Sequence, residues 1–80
     1  MQAGKLVANW IMGTLKKRGM NETIRILAGS IGYGMARYFV TQVTKVGVTS
    51  AALAIAGYLG AGGSFAGPLG WIIGTATGML

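Results

Sequence analysis

Along the first eighteen residues the apolar positions recur at helical intervals. Val7, Ile11 and Leu15 lie four apart, and Leu6 and Trp10 widen the same face. The pattern predicts a helix over 2–18 that closes on Lys16-Lys17-Arg18, where cations suit the negative end of the helix dipole. Gly19 reads as the stop just past its end. Asn21 then reads as an N-cap, with Glu22 in the first turn, so a second helix is expected to start there. It has the pattern to run to about residue 60, softened at Gly32/Gly34 and near Gly47. The segment GAGGSFAGP, residues 60–68, is the clearest breaker, and Pro68 suits the first position of a last short helix over about 68–78. The stretch YFVTQVTKVGVTS, residues 38–50, is rich in β-branched residues and would pass for a strand on propensity alone. Helical periodicity outweighs it, and the expected class is all-α, a helical hairpin of two or three helices.

Small residues recur at the same spacing: Ala28, Gly32 and Ala36; Ala52, Ala56 and Gly60; Gly70, Gly74 and Gly78. Each set would form a flat ridge on which another helix can pack closely. Glycine weakens a helix, so its repeated use calls for a compensating contact.

Charge changes the picture. All seven basic residues (Lys5, Lys16, Lys17, Arg18, Arg25, Arg37 and Lys45) fall within residues 1–45, and residues 46–80 carry none. Glu22 is the single acidic side chain, and the net charge is +6. With neither His nor Cys, and one carboxylate, the chain lacks the makings of a general base, an activated nucleophile or a metal cluster, so no catalytic role and no cofactor are expected. Eighty residues allow one domain, and a chain that short buries little surface alone. Its content of 52% hydrophobic residues and 15 glycines therefore points to surface covered by neighbours, either a membrane or copies of itself.

A bilayer core needs about 20 apolar residues per helix. Residues 46–61 supply sixteen and residues 69–80 twelve, so two clean spans do not fit, and one tilted span over about 46–66 would place Gly60, Gly62, Gly63 and Ser64 in lipid. The N-terminal stretch does not read as a secretory signal, because KKRG stands where a small-residue cleavage site belongs. Cationic, Gly-rich, Trp-containing chains also suit a secreted, bacteriocin-like peptide that gathers on anionic lipid before forming pores, and this is the alternative function.

In the self-assembling reading the ridges pack copy against copy and one charged edge stays free. That edge is the turn KKRGMNETIR, residues 16–25; a fold-back at Gly19–Met20 gathers Lys16, Lys17, Arg18 and Arg25 there, with Lys5 and Arg37 at similar depth on the two arms. Duplex DNA carries one charge per roughly 1.7 Å, so +6 would neutralise roughly 10 Å, about three base pairs. No acidic or amide side chains are expected to accompany the cations in a base-reading arrangement, so the contacts would be to phosphate and independent of sequence.

The length, the helix–turn–helix–turn–helix layout, the uncharged Gly/Ala-rich tail and the sparse basic residues resemble the small major coat protein of clavaviruses, rod-shaped double-stranded DNA viruses of hyperthermophilic archaea. The resemblance implies a virion protein: a helical capsid of one repeated α-helical subunit, tight apolar interfaces between copies, and DNA held inside by Lys and Arg. The near absence of Glu departs from the ion-pair networks usual in hyperthermophile proteins, a departure that a coat stabilised by apolar interfaces tolerates.

Asn21-Glu22-Thr23 also matches the N-glycosylation sequon, which would place Asn21 on an outer surface. A sugar there and DNA at the neighbouring lysines are mutually exclusive, and the expectation is that the basic turn faces inward with the turn at 60–67 outside. The aromatics Trp10, Trp71, Tyr33, Tyr38 and Tyr58 read as packing residues with polar tips.

Overall fold

The computed structural model describes residues 2–63. They form three helices, α1 (Gln2–Arg18), α2 (Met20–Ile31) and α3 (Tyr33–Gly60), with no strand among the described residues. The fold is all-α. The helix expected over about 68–78 and the ridge Gly70, Gly74 and Gly78 lie outside the described residues.

Single glycines make the corners. Gly19 has φ 85 and ψ 171, Gly32 has φ 87 and ψ 157, and Gly47, inside α3, has φ 90 and ψ 173. This is a region of backbone space open in practice to glycine alone. The corners at Gly19 and Gly32 serve two helices at once. The Gly19 N–H donates to the Leu15 carbonyl at 3.0 Å while its own carbonyl accepts from the Thr23 N–H at 3.1 Å. Gly32 does the same between Ala28 (2.8 Å) and Ala36 (3.0 Å). Backbone groups orphaned at a helix end are thereby paired without a connecting loop.

Two expectations are corrected here. Asn21 is not an N-cap: the cap position of α2 is Gly19, and Asn21 lies exposed in the first turn. The corner restarts the helix at once, so no loop residue is left to cap it. Nor does one helix run from 21 to 60, because Gly32 ends α2 and Gly47 bends α3. The bend is large. The Phe39 and Tyr58 rings, on opposite sides of Gly47, meet edge to face with centroids 5.5 Å apart; nineteen residues of straight helix would hold them about 28 Å apart. The β-branched stretch 38–50 is helical, with the Thr44 hydroxyl donating to the Val40 carbonyl at 2.9 Å.

All elements contribute to one core. Val7, Ala8 and Ile11 from α1, Ile24 and Leu27 from α2, and Ala36, Phe39, Val40, Val43, Ala51 and Ile55 from α3 are buried, with Trp10 and Leu15 packed at its edge. The apolar stripe read from Val7 and Ile11 therefore faces the chain's own interior, while Leu6 stays exposed. Where α1 crosses α3 the backbones touch. A Cβ added at Gly4 would lie 2.5 Å from the Ala52 carbonyl oxygen and 3.2 Å from the Ala56 Cβ.

Glycine substitutions should therefore sort by position. Gly32→Ala meets no atom within 4 Å but must hold a positive φ, and should cost about 1–3 kcal/mol. Gly4→Ala meets unyielding backbone and should cost about as much by overpacking. Gly29→Ala, in open space within α2, should stabilise by about 0.5–1 kcal/mol. Denaturant unfolding followed by far-UV circular dichroism separates the three.

Candidate nucleic-acid interface

The cations sit where helix geometry puts them in water. Lys16, Lys17 and Arg18 close α1, where their charge also favours the helix terminus, and all three are exposed. Lys5 lies one turn into α1, and Arg25 near the middle of α2. Arg37 and Lys45 lie on α3, beyond the Gly32 corner, and so not on the second arm of a simple hairpin. All seven are exposed.

One of them is engaged. Arg25 forms a two-pronged pair with Glu22 one turn earlier, its Nε donating to Oε2 at 3.0 Å and its Nη2 to Oε1. Hydrogen bonding to Arg25 holds the Glu22 carboxyl below its ordinary range, and the same pair raises Arg25. The expectation that no acidic partner accompanies the cations is thus corrected at Arg25. Among the described residues no other ion pair forms, so Lys5, Lys16, Lys17, Arg18, Arg37 and Lys45 are free to meet an external anion. The free charge is unchanged, because the pair is neutral. That charge lies at both ends of α1, at Lys5 and at Lys16, Lys17 and Arg18, and on the first half of α3.

At the sequon Asn21 is exposed, whereas Thr23 is fully buried and its hydroxyl donates to the Gly19 carbonyl at 2.7 Å. An oligosaccharide on Asn21 would project into solvent, but Thr23 is open to recognition only before the chain folds. No His/Cys/Asp/Glu group among the described residues could hold a metal ion.

The packing positions divide. Ala36 is fully buried and Ala28 packs at the core's edge, but Gly32 forms the corner between them, so the three do not line one continuous helix face. Ala52 and Ala56 receive Gly4 of the same chain, and Gly60 is exposed with no atom near its Cβ position. Sequence reasoning missed Gly4, although Gly4 and Ala8 repeat the small-xxx-small spacing that marked the other ridges. Exposed apolar area remains at Leu53 (70%), Tyr33 (62%) and Val46 (51%), all on α3.

No protein-family model, no curated protein and no solved structure matches the chain.

With one side-chain carboxylate and no His or Cys, stability should hardly depend on pH from about 5 to 8. The sign below that range follows from Glu22. Its folded pKa is lowered, so the pair's contribution is present above the ordinary glutamate range and is lost as pH falls through the folded value. Because the pair is exposed, the acid loss should be small and should vanish in Glu22→Gln. Thermal melts from pH 3 to 8 read both effects.

Proposed function

We propose that this chain is a structural coat subunit that self-assembles into a helical rod and holds double-stranded DNA by sequence-independent contacts to phosphate. The observation that carries the reading is the set of six exposed, unpaired cations, Lys5, Lys16, Lys17, Arg18, Arg37 and Lys45, on a helical unit with a single carboxylate to oppose them. Such a surface is built for a polyanion. It offers a net +6 per copy, about three base pairs of duplex, and has no arrangement of amides and carboxylates for reading base edges. Leu53, Val46 and Tyr33 supply exposed apolar area for neighbouring copies to cover. The likeness of size and layout to clavavirus coat proteins agrees with this reading and makes the virion the proposed location.

A second reading, a membrane-active cationic peptide, is favoured by one observation. The 28 residues of α3 are long and apolar enough to cross a bilayer by length and composition. Against it, Lys45 and the Gly47 bend fall within that helix.

Electron microscopy of the assembled protein, before and after nuclease, tests the proposal. Regular rods with nuclease-protected DNA support it; nucleic-acid-free monomers that release dye from anionic vesicles overturn it in favour of the second reading. If all six free cations engage phosphate, the logarithm of DNA affinity should fall with the logarithm of salt at a slope of about −5. Replacing Lys16, Lys17 or Arg18 with Gln should each reduce the slope by about 1. Replacing Glu22 and Arg25 together with Gln should leave it nearly unchanged, because the pair is neutral.

A further inference from the structure

We propose that Gly47 is a hinge through which copies of this chain exchange the second half of α3, residues 48–60, so that Ala52 and Ala56 of one copy seat against Gly4 of the next. The inference rests on the self-assembly reading and states how it is achieved. Three observations lead to it.

The contact to be exchanged already exists. Gly4 meets Ala52 and Ala56 at backbone distance within one chain, and a Cβ at Gly4 would come within 2.5 Å of the Ala52 carbonyl oxygen. A surface so closely fitted accepts the same helix from a second copy without redesign, which is why exchange of an identical element is a low-cost route to association. The occupant is thereby fixed as a second copy.

The hinge is one residue. Gly47 is the one non-helical residue inside α3, at φ 90 and ψ 173, and no atom lies within 4 Å of its Cβ position. Val46 on one side of it, and Thr49 and Ser50 on the other, are exposed, whereas Val48 packs against the core, so straightening breaks one contact next to the bend, which moves with the exchanged segment. Glycine alone occupies both the bent and the helical conformation without strain, and helical angles at Gly47 would make α3 one continuous rod of about 42 Å.

What opening breaks, exchange restores. A straight α3 carries Tyr58 away from Phe39 and residues 48–60 away from Gly4. Both contacts re-form with the neighbour's Phe39 and Gly4. Each copy then gives one segment and receives one, a head-to-tail relation that propagates as a filament when the rotation does not close. The apolar side chains Val46 and Leu53, exposed in the closed chain, lie along the straightened rod and are available to contacts between neighbours.

The test uses the whole chain made by chemical synthesis, with two replacements of opposite chirality. Gly47→Ala disfavours the positive φ and favours the straight helix, so it should lower the critical concentration for rod formation on the order of tenfold. Gly47→D-Ala finds φ 90 comfortable, as the mirror image of an ordinary extended residue, so it should hold the bend and raise the critical concentration by a similar factor. Sedimentation and electron microscopy give the critical concentration, and circular dichroism checks helicity. Rods formed alike by the parent and a helical Gly47→D-Ala chain overturn the hinge and leave self-assembly standing. Loss of helicity, or a parent-like critical concentration, in Gly47→Ala overturns it as well, and that arm decides if Gly47→D-Ala does not fold. A parent that forms no rods at any concentration removes the assembly reading, and the hinge with it.

Discussion

The fold depends on a backbone conformation more than on any side-chain contact. At Gly19, Gly32 and Gly47 the chain takes φ of 85–90 with ψ of 157–173, and the helix turns within one residue. The helical segments so formed are 12 to 17 residues long, α3 being divided by its bend. Helices of that length are marginal alone in water. They persist because the corners bring the apolar stripes of all of them together, so that Phe39 from one half of α3 lies against Tyr58 from the other. A loop of several residues at each corner would add chain entropy and polar backbone to be satisfied. The single-residue corner at Gly19 and Gly32 adds neither, since its N–H and C=O are already spoken for by the adjoining helices.

The corners also settle where the charge goes. With the stripes turned inward, the outward faces carry the cations, and the lone carboxylate is spent on a neighbour one turn away. Among the described residues no anion pairs with Lys16, Lys17 or Arg18 at the end of α1. Their mutual repulsion is tolerable in water and would be relieved beside a dense anion, which agrees with the phosphate polymer proposed as partner. Glu22–Arg25, being exposed, contributes little to stability. Its consequence is that Arg25, unlike the other six cations, is already paired within the chain.

Much of this was legible in the sequence. The bounds of α1, the role of Gly19 as a stop, the all-α class and the apolar face of Val7 and Ile11 follow from periodicity and capping rules, and the structure has them. What was misjudged has a common cause. Glycine inside a helical pattern was read as a local softening, when at Gly32 and Gly47 it redirects the chain. Composition is the same in both cases, and only tertiary packing decides between them. The N-cap at Asn21 failed for the same reason: a corner needs no capping loop, and the residue that would have capped one sits inside the next helix. Gly4 was overlooked because one small residue near the start of an amphipathic helix is unremarkable until its partner ridge is known.

The small-residue ridges join the fold to assembly in a way that composition alone did not suggest. They were expected to meet other copies, and one of them, Ala52–Ala56, meets Gly4 of its own chain. A surface that satisfies itself within a monomer removes the need for a partner, and a monomer closed on its own apolar stripes has less reason to polymerise than a chain left open. If the chain assembles as proposed, assembly would be a choice between two placements of the same contacts rather than the filling of an empty one. The energy difference between those placements would be small, since the exchanged contacts would be common to both. On that proposal the balance would be tipped by concentration, by the neutralisation of like charges if DNA is the partner, and by the strain or ease of one glycine. A polyanion that gathers many copies along its length raises local concentration and relieves repulsion among their lysines in the same step. Self-association and DNA binding would then be one equilibrium, with the nucleic acid acting as the template that favours the open arrangement.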